Sequence, residues 1–135
     1  MKKVNFFILI AVFLLSLNFI CLAQADKNQD TLQNLNLSGS LENGVRVIEL
    51  TAAKYKFSPD PIVVKLGEKV RIKATSLDVQ HGLAIPEFDV DLTINPHKTS
   101  SVEFVADKEG AFHARCSVYC GSGHMDMHAS LIVVK

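Results

Sequence analysis

Two hydrophobic patterns divide this chain. Residues 4–23 are apolar apart from Asn5, Ser16 and Asn18. From Val45 onward the apolar residues come instead in short runs separated by turn residues. Val45–Leu50 is rich in strand formers, Tyr55–Phe57 runs into the turn Ser58-Pro59-Asp60-Pro61, and Ile62–Leu66 is closed by Gly67-Glu68. Val70, Ile72 and Ala74 alternate with charged positions, which puts them on one face of a strand. His81–Ile85 is a short strand ended by Pro86, Ser101–Val105 alternates again, and Asp107–Gly110 turns the chain. Ala111–Arg115 leads into a cysteine-bearing loop, and Leu131–Val134 is the last strand. Short strands punctuated in this way predict an all-β, antiparallel sandwich or barrel. The only room for a short helix is around Phe88–Leu92. The inward positions predict a core of Val47, Ile48, Phe57, Ile62, Val64, Val70, Ile72, Leu83, Ile85, Val102, Phe104, Phe112, Leu131 and Val133.

The N-terminal run has a different reading. Met1-Lys2-Lys3 precedes it and Ala23-Gln24-Ala25 follows, so residues 1–25 have the layout of an export signal cleaved after Ala25. The alternative is an uncleaved anchor, since about 20 apolar residues suffice to span a bilayer. Cys21 follows the bulky Ile20, a poor context for lipidation, and would leave with the signal. Residues 26–44 are polar, rich in Asn, Gln, Ser and Gly, and predict a flexible linker. The domain proper is expected over 45–135.

Charge and cysteine content then narrow the function. The chain carries 14 basic and 14 acidic residues; without Lys2 and Lys3 the basic count is 12, a net of about −2. No basic stripe suits nucleic acid, and no acidic run suits a highly charged partner. An exported domain keeps Cys116 and Cys120. A disulfide between residues four apart closes a very small loop and removes little unfolded-state entropy. Two thiols poised for metal is the stronger explanation.

The chemistry concentrates in Cys116-Ser-Val-Tyr-Cys120-Gly-Ser-Gly-His124-Met-Asp-Met127. Thiolate and thioether are soft donors that suit Cu(I), and imidazole suits copper in both oxidation states. Zinc is served less well, because methionine is not among its usual ligands. Calcium and magnesium prefer oxygen. Gly121 and Gly123 allow the loop to fold back sharply. Two cysteines can bridge a pair of ions, each of which then needs one nitrogen. His124 is one source, and His81 is the best candidate for the other. Met125 is out of register and is expected to pack. His97 has no motif support. His113, three residues before Cys116, is a candidate neighbour of the centre, and His128 a candidate for a secondary copper site.

This run resembles the CuA motif of cytochrome c oxidase subunit II and nitrous oxide reductase, C-x3-C-x3-H-x2-M with an upstream histidine. Asp78-Val79-Gln80-His81-Gly82 resembles the segment carrying that histidine, and Val105–Gly110 the turn before the cysteine loop. The resemblance covers roughly residues 55–135 and implies a cupredoxin-like Greek-key β-sandwich. It also implies two copper ions bridged by Cys116 and Cys120, with His81 and His124 binding one each. Met127 would be a weak axial ligand, and the backbone carbonyl of Val118 would complete the set. The resemblance departs at Val118, where oxidase subunits II usually carry a glutamate, and in the absence of tryptophan.

The expected function is one-electron transfer on the periplasmic side or the outer face of the cytoplasmic membrane. The expected partner is a c-type cytochrome or a terminal oxidase, with membrane contact only if the N-terminal segment is retained. The chain is not expected to be an enzyme alone, though it could be the electron-entry subunit of a haem-copper oxidase. Two alternatives stay open: a copper storage or delivery protein, and a mononuclear cupredoxin in which one cysteine is spare.

Overall fold

The computed structural model describes residues 36–135. The expected signal or anchor over 1–25 and the first part of the expected linker lie outside the described residues. Ten strands follow in order: β1 (Ser40–Glu42), β2 (Val45–Ala53), β3 (Lys56–Ser58), β4 (Ile62–Lys65), β5 (Lys69–Ser76), β6 (His81–Ile85), β7 (Val90–Ile94), β8 (Thr99–Val105), β9 (Gly110–Arg115) and β10 (His128–Val134). One sheet runs β1-β2-β5-β8 with β3 added on β2; the other runs β4-β10-β9-β6-β7. Together they form the expected cupredoxin-like Greek-key β-sandwich. Among the described residues no helix is long and apolar enough to cross a membrane.

The sheets are mixed, not purely antiparallel as the pattern suggested. β2 pairs with β5 in parallel, and so does β4 with β10. In both cases the chain visits the opposite sheet before it returns. That is the crossover a parallel pair requires and a tight hairpin cannot supply.

Alternation sets the core as expected. Along β5, Val70, Ile72, Ala74 and Ser76 are buried while Lys69, Arg71, Lys73 and Thr75 face outward. Twelve of the fourteen expected core residues are buried; Val102 and Phe112 are only half-buried and pack against the rim. Leu50, Ile94 and Met127 join the fully buried set. Burying each such side chain contributes about 1.5–3 kcal/mol.

Two local expectations are corrected. The short helix expected around Phe88–Leu92 is a single 3-10 turn over Pro86–Phe88, ended by Asp89 at φ 54°. Beyond it, Val90 and Ile94 are buried and Asp91 and Thr93 exposed, a period of two that pairs β7 with β6. The linker expected up to residue 44 gives way earlier to ordered structure, because Ser40–Glu42 pairs with Val45–Val47 as a hairpin.

Arg46 is buried at the start of β2 and forms a two-pronged ion pair with Glu68, Nη2 to Oε1 at 2.7 Å and Nε to Oε2 at 3.1 Å. Glu68 also accepts the backbone N–H of Lys65. The hydrogen bonds from Arg46, above all, hold the Glu68 carboxyl below its ordinary range against the opposing effect of burial.

Candidate metal centre

The opposite end of the sandwich carries the chemistry. β9 and β10 are antiparallel neighbours, and the loop between them holds Cys116 to Met127. Its two ends are pinned where the Cys116 N–H donates to the Met127 carbonyl at 3.0 Å. A 3-10 turn over His124–Asp126 brings the chain back to β10. β6 begins beside this loop with His81, which is completely buried.

Packing on both sides holds the loop. Gly82 lies directly under it: a Cβ there would meet the Ser117 hydroxyl and come within 2.9 Å of the Val118 nitrogen. Ser117 Oγ in turn donates to Asp91 Oδ1 at 2.8 Å. The ring of Tyr55 fills the space beside Gly121 and Gly123, where side chains would collide with it, and its hydroxyl is 3.3 Å from Ser122 Oγ.

Cys116 and Cys120 are buried thiols, not a disulfide, with Sγ atoms 3.8 Å apart. His81 Nδ1 is 3.9 Å from the Cys116 sulfur, and His124 Nδ1 is 3.7 Å from the Cys120 sulfur. The Met127 thioether, itself buried, is 3.8 Å from the Cys120 sulfur. The Val118 carbonyl oxygen is 3.1 Å from the Cys116 sulfur. All six residues expected to form the site therefore converge, with one imidazole beside each sulfur. The donor atoms of His81, Cys116 and Cys120 all lie within 4.8 Å of one another.

These residues fit a soft metal. The gap between the two sulfurs is shorter than two metal–thiolate bonds of about 2.3 Å laid end to end, so one ion can reach both. Both histidines turn Nδ1 toward a sulfur, His81 toward Cys116 and His124 toward Cys120. Burial, followed by the neighbouring Cys116 thiol, pushes the Cys120 thiol up to about 11. Metal must therefore displace a proton at neutral pH, as thiolate ligation requires.

Sequence reasoning missed Asp78 as a functional residue. Its Oδ1 is 2.8 Å from His81 Nε2, and it accepts the backbone N–H groups of Lys54 and Val79. Burial works against the charged carboxyl, but these hydrogen bonds outweigh it and hold its pKa well below the carboxylate range. With Nε2 donating to Asp78, the lone pair of Nδ1 faces Cys116. The signal was a carboxylate three residues before a candidate ligand histidine. His113, a candidate neighbour of the centre, is exposed on the outer face of β9, against the ring of His128. Met125 is 86% exposed and takes no part in packing, contrary to expectation.

Fold and donor set together define a cupredoxin-like domain with a buried sulfur–imidazole cluster at one end. Residues 41–135 match the family described as the periplasmic domain of cytochrome c oxidase subunit II. The chain belongs to that family. It is 37% identical over 101 residues to a nitrous-oxide reductase of Ralstonia nicotianae, which covers 71% of this chain and 16% of the relative. It is 29% identical over 86 residues to cytochrome c oxidase subunit 2 of Thermus thermophilus, covering 64% of each. The chain thus spans about a sixth of the reductases it matches. Among solved structures, the periplasmic domain of subunit II of cytochrome oxidase from Bradyrhizobium japonicum superposes with a TM-score of 0.62 at 24% identity, over 66% of this chain and 83% of that one.

Proposed function

We propose that this chain is an exported, copper-binding electron-transfer domain with a dinuclear CuA-type centre. Cys116 and Cys120 would bridge two copper ions, His81 and His124 would supply one nitrogen each, and Met127 and the Val118 carbonyl would complete the two coordination shells. The observation that carries this reading is the pairing of donors: two buried sulfurs 3.8 Å apart, with an imidazole nitrogen at 3.9 Å from one and 3.7 Å from the other. Two ions sharing both sulfurs would each have one imidazole and would use every donor.

When bound, the metal pair supplies a one-electron redox couple. The protein's own part is to fix the donors before the electron arrives. Asp78 sets the ring of His81, Gly82 and Tyr55 fix the loop, and burial of both sulfurs keeps water from them. A centre held in this way reorganises little on gaining or losing an electron.

The surface beside the centre supports electron exchange with a protein partner. Tyr119 is 76% exposed and its ring lies 5.6 Å from that of the half-buried His124. A partner of redox type, a c-type cytochrome or a terminal oxidase, would dock over these residues. Val118 offers no carboxylate at the position where oxidase subunits II usually have one, so a separate carrier is supported as well as an oxidase subunit.

Copper stoichiometry and electron paramagnetic resonance of the purified full chain test the proposal. The expected result is two coppers per chain with hyperfine structure shared over both nuclei, abolished in Cys120→Ser. One copper with a single thiolate-to-metal band would replace it with the mononuclear reading. A labile ion lost to a mild chelator would favour copper delivery.

A further inference from the structure

We infer that His113 and His128 form a second, separate metal site, for a divalent ion of the imidazole-binding class such as zinc or copper(II), on the outer face of the β9–β10 ladder. In the ladder Ser130 stands opposite His113 and His128 opposite Arg115, so the two histidines are diagonal neighbours. Ala114 and Ala129 point into the core, which turns His113 and His128 outward on the same face. Both are exposed, and their ring centres are 5.5 Å apart.

That separation suits a shared ion. With metal–nitrogen bonds of about 2.0–2.1 Å, two imidazoles on one ion have ring centres roughly 5 Å apart. A small side-chain rotation closes the difference, and both rings are free to make it. Imidazole selects zinc, copper and nickel over magnesium and calcium. Water completes the shell, so the site is open and exchangeable, unlike the buried sulfur cluster. Arg115, on the same face, adds a positive charge that lowers affinity without contributing a donor. The loop that joins these two strands begins at Cys116 and ends at Met127.

The test is a zinc titration of the full chain carrying Cys116→Ser and Cys120→Ser, followed by NMR of the imidazole protons. His113 and His128 are expected to shift together and saturate at one ion per chain, while the exposed His97 stays unmoved. Adding His113→Ala or His128→Ala should weaken binding by roughly tenfold or more, because the second imidazole acts on an ion already held by the first. Independent shifts of His113 and His128, an equal shift of His97, or undiminished affinity in either alanine variant would overturn the inference. Should the double-serine chain not fold, the unaltered chain must bind one more zinc than His113→Ala, and equal stoichiometry would overturn it. The outcome does not depend on whether Cys116 and Cys120 hold copper.

Discussion

Asp78 Oδ1 stands 2.8 Å from His81 Nε2, and the far side of the same ring places Nδ1 3.9 Å from the Cys116 sulfur. The carboxylate therefore orients a residue it does not replace. Removing such an outer partner typically lowers metal affinity about 10–100-fold. Asp78→Ala is expected to weaken copper binding by about that factor. Asp78→Asn, which keeps an acceptor for the His81 N–H, should recover part of it. Competition titration against a copper chelator measures both; equal affinity in Asp78→Ala and the unaltered chain would remove Asp78 from the site.

Gly82 is required by contact with the loop, not by its own backbone angles. Its missing Cβ leaves room for Ser117 and for the Val118 backbone, which approaches the Cβ position to 2.9 Å. Gly82→Ala should push the cysteine loop off β6 and destabilise the apo chain by about 1–3 kcal/mol, the usual cost of overpacking. Urea denaturation reads the stability. The copper spectrum of the same variant should broaden, because Ser117 and Val118 lie between the two sulfurs.

Met127 is both a core residue and a candidate axial ligand, and one substitution separates the roles. Met127→Leu conserves volume, so stability should change by less than about 1.5 kcal/mol. Loss of the sulfur 3.8 Å from Cys120 should nevertheless shift the reduction potential and the visible spectrum while copper stoichiometry stays the same. An unchanged potential would leave Met127 as packing alone.

At the other end of the sandwich, stability should depend on pH through Glu68. Its folded pKa is depressed, chiefly by the hydrogen bonds from Arg46. The stabilisation is therefore complete above the unfolded carboxyl value, about 4.3 for glutamate, and is lost as pH falls through the lower folded value. Glu68→Gln should cost about 1.5–3 kcal/mol at neutral pH, the range for hydrogen bonds to charged groups. The gap between variant and unaltered chain should close with acidification below about pH 4.3. Denaturation at a series of pH values follows it; a gap independent of pH would assign the loss to packing.

Most of the sandwich was legible in the sequence, and so were the six residues that the fold brings together, for physical reasons that also explain the gaps. β5 and β10 announce themselves because one face is buried and the other is wet. β6 is buried throughout, so His81 was placed by its neighbours in sequence and not by alternation. β7 was overlooked because Val90-Asp91-Leu92-Thr93-Ile94 is short and follows a proline turn that suggested helix. The parallel pairings are set by which sheet the chain visits next, and no local pattern encodes that. Tyr55 was missed for the same reason: it meets Ser122 from 67 positions away, and only the fold makes them neighbours, whereas Asp78 lies three residues before His81 and did leave a local signal.

Four of the five side-chain donors of the proposed centre lie between Cys116 and Met127, whereas His81 comes from β6. The four remain close along the chain even when it is unfolded, and a soft ion can engage them there. Ligands that also bind the unfolded chain stabilise the fold by less than their affinity for the native state suggests. In this protein the difference rests on His81 and on the preset shape of the loop. Metal would thus be captured locally during folding, and the strand pairing that delivers His81 would convert a loose chelate into a rigid redox centre.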